Sequence, residues 1–189
     1  MNRRWPPLLA LAGVTAFLLM ERRLRRGATA ASLERGRDDQ GSTLAIGAAF
    51  SSALMLAPPA ALSKRGRLPT AVGAVGNAMM AVGIGLRWWA ARTLGESYTR
   101  TLRTRPGQRV VDSGPYAVVR HPGYAADLLM WLGFGLSWMN TISVAIAAGP
   151  MIAAHGYRIM REETMLRESL GDEYRSYAAR TARLIPGIY

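Results

Sequence analysis

Cysteine is absent from the 189 residues, which excludes disulfides, thiolate metal sites and a cysteine nucleophile together. Histidine occurs twice, as His121 and His155, too few for a histidine-built metal cage, so no metal site is expected. Lysine is nearly missing as well, since 23 of the 24 basic residues are arginine. Acidic residues number only 12, which leaves a net charge of +12. Taken alone, that excess points to a polyanion such as nucleic acid. Its distribution argues otherwise. Half of the residues are hydrophobic, and they are segregated from the charges in long blocks rather than forming a free basic domain. No nucleic-acid partner is expected. No internal repeat appears at a period of about 20–50 residues, so a solenoid is excluded too.

Residues 44–62 and 68–86 each run 19 positions without a formal charge, and residues 128–154 run 27. About 20 apolar residues cross a ~30 Å hydrocarbon core, and a soluble domain of this size has no room to bury three such runs. The expected fold class is therefore an all-α integral membrane protein. Residues 3–6 followed by an apolar stretch resemble a signal peptide, but Glu21-Arg22-Arg23 stands where a small-residue cleavage site belongs, which predicts an uncleaved first span. The longest run exceeds one ordinary span. Trp138-Met139-Asn140-Thr141 in its middle has interfacial and turn character, so it splits into a hairpin. Five spans follow, at about 5–20, 43–62, 68–91, 123–138 and 141–157.

Charge fixes their orientation. Five spans with the N-terminus outside put 18 basic residues in the cytoplasm and 5 outside, whereas four spans would give 12 against 11. The C-terminus is then cytoplasmic, on the same side as the loop between spans 3 and 4. The chain reads as one membrane domain over 1–189, with N-terminal spans in 1–91 and the chemistry-bearing region in 92–189. Glycine-rich 73–85 and 133–135 predict close helix–helix packing.

Ionisable residues at membrane depth are costly and tend to line polar cavities. His155, Arg158 and Glu162 sit on one helix face where span 5 leaves the membrane, and the four-residue spacing allows Arg158 and Glu162 to pair. The tail is helical in composition up to a break at Gly171. A second polar region, 110–124, has turn signals at Gly114-Pro115 and His121-Pro122-Gly123 and sets two tyrosines and a histidine within nine residues. Its prolines remove backbone donors and bias their neighbours to extended geometry, which frees backbone groups to face a ligand.

Gly114-Pro115-Tyr116, Arg120-His121-Pro122-Gly123-Tyr124, Trp131, Gly133 and then Arg158-Ile159, Glu162-Glu163, Leu166, Gly171, Tyr174, Tyr177 and Arg180 closely resemble the isoprenylcysteine carboxyl methyltransferase family, itself related to the phospholipid methyltransferases. The resemblance runs from about Arg87 to Pro186. It implies about five transmembrane helices, a cytoplasmic C-terminal helical pocket for S-adenosyl-L-methionine, and a tunnel into the bilayer for a lipophilic or prenylated acceptor. It implies cofactor contacts from Gln108, Arg109, Val110, Val111, Tyr116, His121, Pro122, Gly123 and Tyr124. By the same resemblance Glu162 binds the cofactor's ammonium group and Arg158 holds the acceptor's oxyanion. The sequence departs from the family pattern in three places: Gly123 replaces a usual serine, Asn140-Thr141 replaces a usual Asn-Pro, and Gln108-Arg109 differs from the eukaryotic polar pair.

The chemistry agrees with the composition. Methyl transfer from a sulfonium to an anion is an in-line displacement that rests on positioning and electrostatics rather than on acid–base groups. Arginine suits a carboxylate or phenolate grip. The expected protein is thus an S-adenosyl-L-methionine-dependent methyltransferase. It would methylate a carboxylate or hydroxyl of an isoprenylcysteine-like or other lipid, in contact with membrane lipids. The arginine bias suggests a GC-rich bacterial genome and hence the inner (plasma) membrane. Two alternatives remain open at this point: a sterol-reductase-like NADPH-dependent membrane enzyme, and a non-catalytic membrane scaffold or anionic-lipid binder.

Overall fold

The computed structural model describes residues 4–25, 39–95 and 109–187, and every long element among them is helical. Helix α1 is Trp5–Arg25, α2 Ser42–Ala60, α3 Thr70–Leu94, α4 Pro122–Ser137 and α5 Thr141–Arg180, with a short 3-10 turn at Gly114–Ala117 before α4. The α3–α4 pairing is the most extensive; α5 packs on α4 and α2, while α1 packs on α3. Helices α2 and α3 are long and apolar enough to cross a membrane. The other three do not meet that test: α4 is only 16 residues long, and α1 and α5 run into charged ends.

The bundle is built inside out relative to a water-soluble one. Leu8, Leu19, Leu44, Met55, Leu56 and Val82 face outward, whereas the buried positions of α2 and α3 are largely alanine, glycine and serine. Small buried residues let helix backbones approach closely, which is how helices associate in lipid. Gly76 and Gly133 show the limit of this. A Cβ on Gly76 would lie 2.5 Å from the Gly133 carbonyl oxygen, and one on Gly133 would lie 2.5 Å from the Gly76 oxygen. Gly133→Val is therefore expected to cost about 2–3 kcal/mol by overpacking, read as a lower melting temperature in detergent. Gly85, which has open space around its Cβ position, should accept alanine with a neutral effect or a gain of up to about 1 kcal/mol. Larger side chains fill the centre, where Phe50, Trp131 and Phe134 meet edge to face at centroid separations of 4.9 and 5.4 Å.

The hairpin expected within the long apolar run is present, with its turn at Trp138–Asn140. Asn140 is fully buried, caps α5 by accepting from the Ile142 amide at 2.8 Å, and donates to the Ser63 and Arg65 carbonyls at 3.3 and 2.9 Å. One side chain thus starts α5 and ties the α4–α5 turn to the α2–α3 loop. The fifth span and the tail helix prove to be one element. Between Tyr157 and Gly171 Arg, Met, Glu and Leu, all strong helix formers, predominate, so the helix runs on past the span to Leu170; Gly171 (φ 54°) breaks it, and a second helical segment continues to Arg180. Beyond α5 the chain returns to the connector before α4: the Arg120 amide donates to the Ala182 carbonyl at 2.8 Å and the His121 amide to that of Arg183 at 3.2 Å.

Candidate active site

Pro122 occupies the first turn of α4, where a missing N–H costs nothing. His121 and Tyr124 are thereby set on either side of the helix start, with their rings stacked at 5.5 Å and 13°. Residues 158 and 162 of α5 face this pair. The Tyr124 hydroxyl donates to Glu162 Oε2 and accepts from Arg158 Nε at 2.9 Å. The expected Arg158–Glu162 pairing is thus joined through a tyrosine hydroxyl from the neighbouring helix. Glu162 remains a quarter exposed, whereas Glu163 and Asp39 are buried. The Tyr174 hydroxyl, further along α5, is buried without a hydrogen-bond partner among the described residues. Burial first, and the charge of Glu163 second, push its ionisation above the usual tyrosine range.

Arg158 is buried and held from a second direction. Its Nη1 donates to Ser42 Oγ at 3.0 Å and Thr43 Oγ1 at 3.1 Å, and lies 3.3 Å from Asp39 Oδ1. Burial opposes ionisation of Asp39, but hydrogen bonds from Thr43 and Ser42 and the Arg158 charge hold its carboxyl below the usual range. Nothing in the residue spacing pairs Asp39 with Arg158; the polar stretch reads only as a loop.

Glu163, one residue past Glu162, turns about 100° around the helix and serves a different purpose. Its carboxylate accepts from Arg120 Nε at 3.0 Å, Arg183 Nε and Nη2 at 3.0 and 2.9 Å, and Arg167 Nη2 at 2.9 Å, with His121 Nε2 at 3.4 Å. Burial works against its charge, yet donors from His121, Arg183 and Arg120 hold the carboxyl well below the usual carboxylate range. Glu163 therefore pins the returning C-terminal segment to the connector and α5.

His155, on the same face as Arg158, makes its polar contacts elsewhere. Its Nδ1 faces the Met151 carbonyl at 2.9 Å, where only a donor fits, and its Nε2 lies 3.3 Å from Asp127 Oδ2. Asp127 in turn lies 3.4 Å from Arg87 Nη1, and Arg87 Nε donates to Glu21 Oε1 at 3.1 Å. A row of charge thus crosses from α1 through α3 and α4 to α5, and it ends edge-on to the Tyr124 ring at 5.3 Å. Arg87 and Asp127 each interrupt an otherwise apolar run, the one sequence signal that could have exposed this row. A Cβ on Gly123 would lie 2.9 Å from Arg87 Nη1, so the guanidinium fills the space a serine side chain would take.

Of the remaining expected contacts, Tyr116 is buried, and its carbonyl accepts from the Tyr177 hydroxyl at 2.8 Å. Burial is the largest cause pushing Tyr177 up to about 12. Arg109 is largely exposed, with its Nε 3.8 Å from Glu173 Oε1, and the Val110 amide donates to the same oxygen at 3.1 Å. Those contacts lie beyond the Gly171 break, and Val111 follows directly. Gln108 lies outside the described residues. Among the described residues no group of three or more metal-ligating side chains occurs.

Between α2 and α5 lies a groove of about 490 Å³, lined by Ala45, Ala48 and Ala49 on one side and Pro150, Ala153 and Tyr157 on the other. It is open and shallow, and two of its lining residues, Ala45 and Ala154, lie about one helical turn from Ser42 and Arg158.

Residues 76–168 match the isoprenylcysteine carboxyl methyltransferase (ICMT) family. A rice (Oryza sativa subsp. indica) protein named "Probable protein-S-isoprenylcysteine O-methyltransferase" is 30% identical over 119 residues, 62% of each chain. Protein-S-isoprenylcysteine O-methyltransferase B of Arabidopsis thaliana is 31% identical over 115 residues, 60% of this chain and 58% of the relative. The aligned stretch thus spans less than two thirds of these relatives. The structure of a eukaryotic intramembrane Ras methyltransferase, ICMT, superposes with a TM-score of 0.66 at 18% identity, covering 98% of this chain and 69% of the other, which shows a shared fold.

Proposed function

On the match of residues 76–168 to the isoprenylcysteine carboxyl methyltransferase family, we propose that this chain is a membrane methyltransferase using S-adenosyl-L-methionine to methylate a carboxylate or hydroxyl oxygen of a lipophilic acceptor. The acceptor class is an isoprenylcysteine-like or other lipid. The observation that carries this reading is the Tyr124 hydroxyl joining Arg158 to Glu162. One cation able to hold an oxyanion and one carboxylate able to hold an ammonium stand a helical turn apart, with a shallow apolar depression between α2 and α5 a further turn away.

When bound, the cofactor supplies a sulfonium methyl group. The chain's own residues fit its other groups: the partly exposed Glu162 carboxylate suits an ammonium, and the unpartnered Tyr174 hydroxyl offers a polar contact nearby. In this reading Tyr116, His121, Pro122, Gly123 and Tyr124 line the cofactor's side of the cluster, with Arg109, Val110 and Val111 beside them. Arg158 holds the acceptor oxygen by a charge-assisted grip and orients it for in-line attack. An anionic acceptor needs no general base, in keeping with a His155 whose two nitrogens are both engaged. All five long helices cross the bilayer in this reading, with the N-terminus outside and the C-terminus in the cytoplasm of a bacterial plasma membrane.

Titration of the detergent-solubilised protein with S-adenosylhomocysteine tests the assignment. Binding is expected, with Glu162→Gln weakening it by about tenfold or more through loss of a charge-assisted contact. No binding, or binding indifferent to Glu162→Gln, overturns the reading.

A further inference from the structure

Arg158 already holds a carboxylate from its own chain. Asp39 lies just before α2, and it is a buried acid with Ser42 and Thr43 hydroxyls donating to Oδ1 at 3.0 and 2.5 Å. The same hydroxyls accept from Arg158 Nη1. The arrangement is what a bound acceptor carboxylate would require: a guanidinium on one side and two hydroxyl donors on the other. Glu162 reaches the Nε side of Arg158 only through the Tyr124 hydroxyl, and a carboxylate on the Nη1 side is favourable for a guanidinium this deeply buried, whether or not an acceptor is present. The backbone holding Asp39 is the costly part. Gln40 has φ 38° and Gly41 φ 84°, both left-handed, and for the non-glycine residue this conformation is strained. Tyr157, which lines the apolar groove, donates its hydroxyl to the Gln40 carbonyl at 3.1 Å, so the mouth of the groove is tied to this strained turn.

We propose that Asp39 is an internal stand-in for the acceptor's anion, so that binding exchanges one carboxylate for another on Arg158 and selects acceptors that carry a negative charge. The inference rests on the reading of Arg158 as the acceptor's holder, and it adds to that reading an internal competitor, Asp39. A neutral alcohol has nothing to offer Arg158 in place of Asp39. Both carboxylates on one guanidinium would repel each other at close range, and strain at Gln40 favours release of Asp39. The same exchange clears the product. A carboxylate oxygen attacks the sulfonium methyl, the O–CH3 bond forms as the S–CH3 bond breaks, and the bonding pair stays on sulfur as a neutral thioether. The acceptor leaves as a neutral methyl ester with no proton transferred. An ester does not neutralise Arg158, so Asp39 returns to it and the product is displaced. Asp39 is a specificity residue in this scheme and takes no part in bond making.

The test measures binding of N-acetyl-S-farnesylcysteine, and separately of its methyl ester, to the full-length protein and to Asp39→Asn in detergent, with S-adenosylhomocysteine binding as the fold control. Removing the internal competitor is expected to tighten the acid by about fivefold or more while leaving ester and S-adenosylhomocysteine within about twofold. Unchanged or weaker acid binding with S-adenosylhomocysteine intact overturns the exchange, as does equal tightening of acid and ester, which would make Asp39 a steric plug. Failure of the unmutated protein to bind S-adenosylhomocysteine overturns the parent reading instead. Should Asp39→Asn not fold, hydrogen exchange on the unmutated protein decides. The acid, and not the ester, is expected to speed exchange across residues 40–46, where the Thr43 amide donates to Asp39 Oδ2. Equal protection with either ligand sinks the proposal.

Discussion

Arg158→Ala is expected to lower methyl transfer to N-acetyl-S-farnesylcysteine by about 10²–10³-fold, the range seen when one preorganised charge-stabilising donor is removed. The reason lies in how the guanidinium is held. Nε is committed to Tyr124 on α4, while Nη1 is committed to the Asp39, Ser42 and Thr43 group before α2. The planar fork fixes two directions at once, and the acceptor oxygen inherits that geometry. Arg158→Lys keeps the charge but offers a single point of donation, so it should lose nearly as much. Alanine also leaves Asp39 buried without its cation, so activity must be read beside S-adenosylhomocysteine binding. Affinity retained within about threefold, together with lost transfer, assigns the defect to the acceptor side. Transfer within tenfold of the parent removes Arg158 from that role.

The largest effect on stability is expected at Glu163→Gln, at about 3–5 kcal/mol, the usual cost of removing one partner from a buried ion pair. Arg120 and Arg183 are both partly buried around this carboxylate, and an amide neither balances their charge nor accepts from both. The C-terminal return should come loose first, giving new proteolytic cleavage near Arg180 and Arg183 as well as a lower melting temperature in detergent. The pH dependence follows from the sign of the shift. The folded carboxyl sits below its ordinary value of about 4.3. Its contribution is therefore complete above that pH and is lost as pH falls toward the folded value. The gap in melting temperature between parent and Glu163→Gln should stay constant from about pH 8 to pH 5 and narrow below about pH 4. A gap that changes near neutrality would assign the stabilisation to another group.

These two residues also show what the sequence makes legible. Arg158 and Glu162 share a helix face by simple periodicity, and His121 and Tyr124 stand out because they flank Pro122 in a turn signal, so their convergence could be anticipated. The same periodicity separates Glu163 from Glu162, yet only the fold reveals that the C-terminal return supplies Arg183 on that side. The hairpin turn at Asn140 and the interruption at Gly171 were readable from turn and helix-breaking residues. The continuity of α5 was partly hidden because hydropathy changes at Tyr157 while helix propensity does not. Asp39 was out of reach, since it meets Arg158 across 119 positions of chain and its local context is an ordinary polar loop. Helical spacing places His155 on the Arg158 face, but it does not show that its ring nitrogens engage Met151 and, on another helix, Asp127.

The charge row from Glu21 to His155 bears on how far the molecule can be reduced. Residues 76–168 carry the family match, and they include Arg87, Asp127 and His155 but not Glu21. A fragment trimmed to that match would keep the guanidinium deep in the bundle and discard the carboxylate of α1 that sits 3.1 Å from it. The matched region is therefore not a portable cassette. The helix α1 supplies it with a counter-ion, and a minimal fragment should start upstream of that helix.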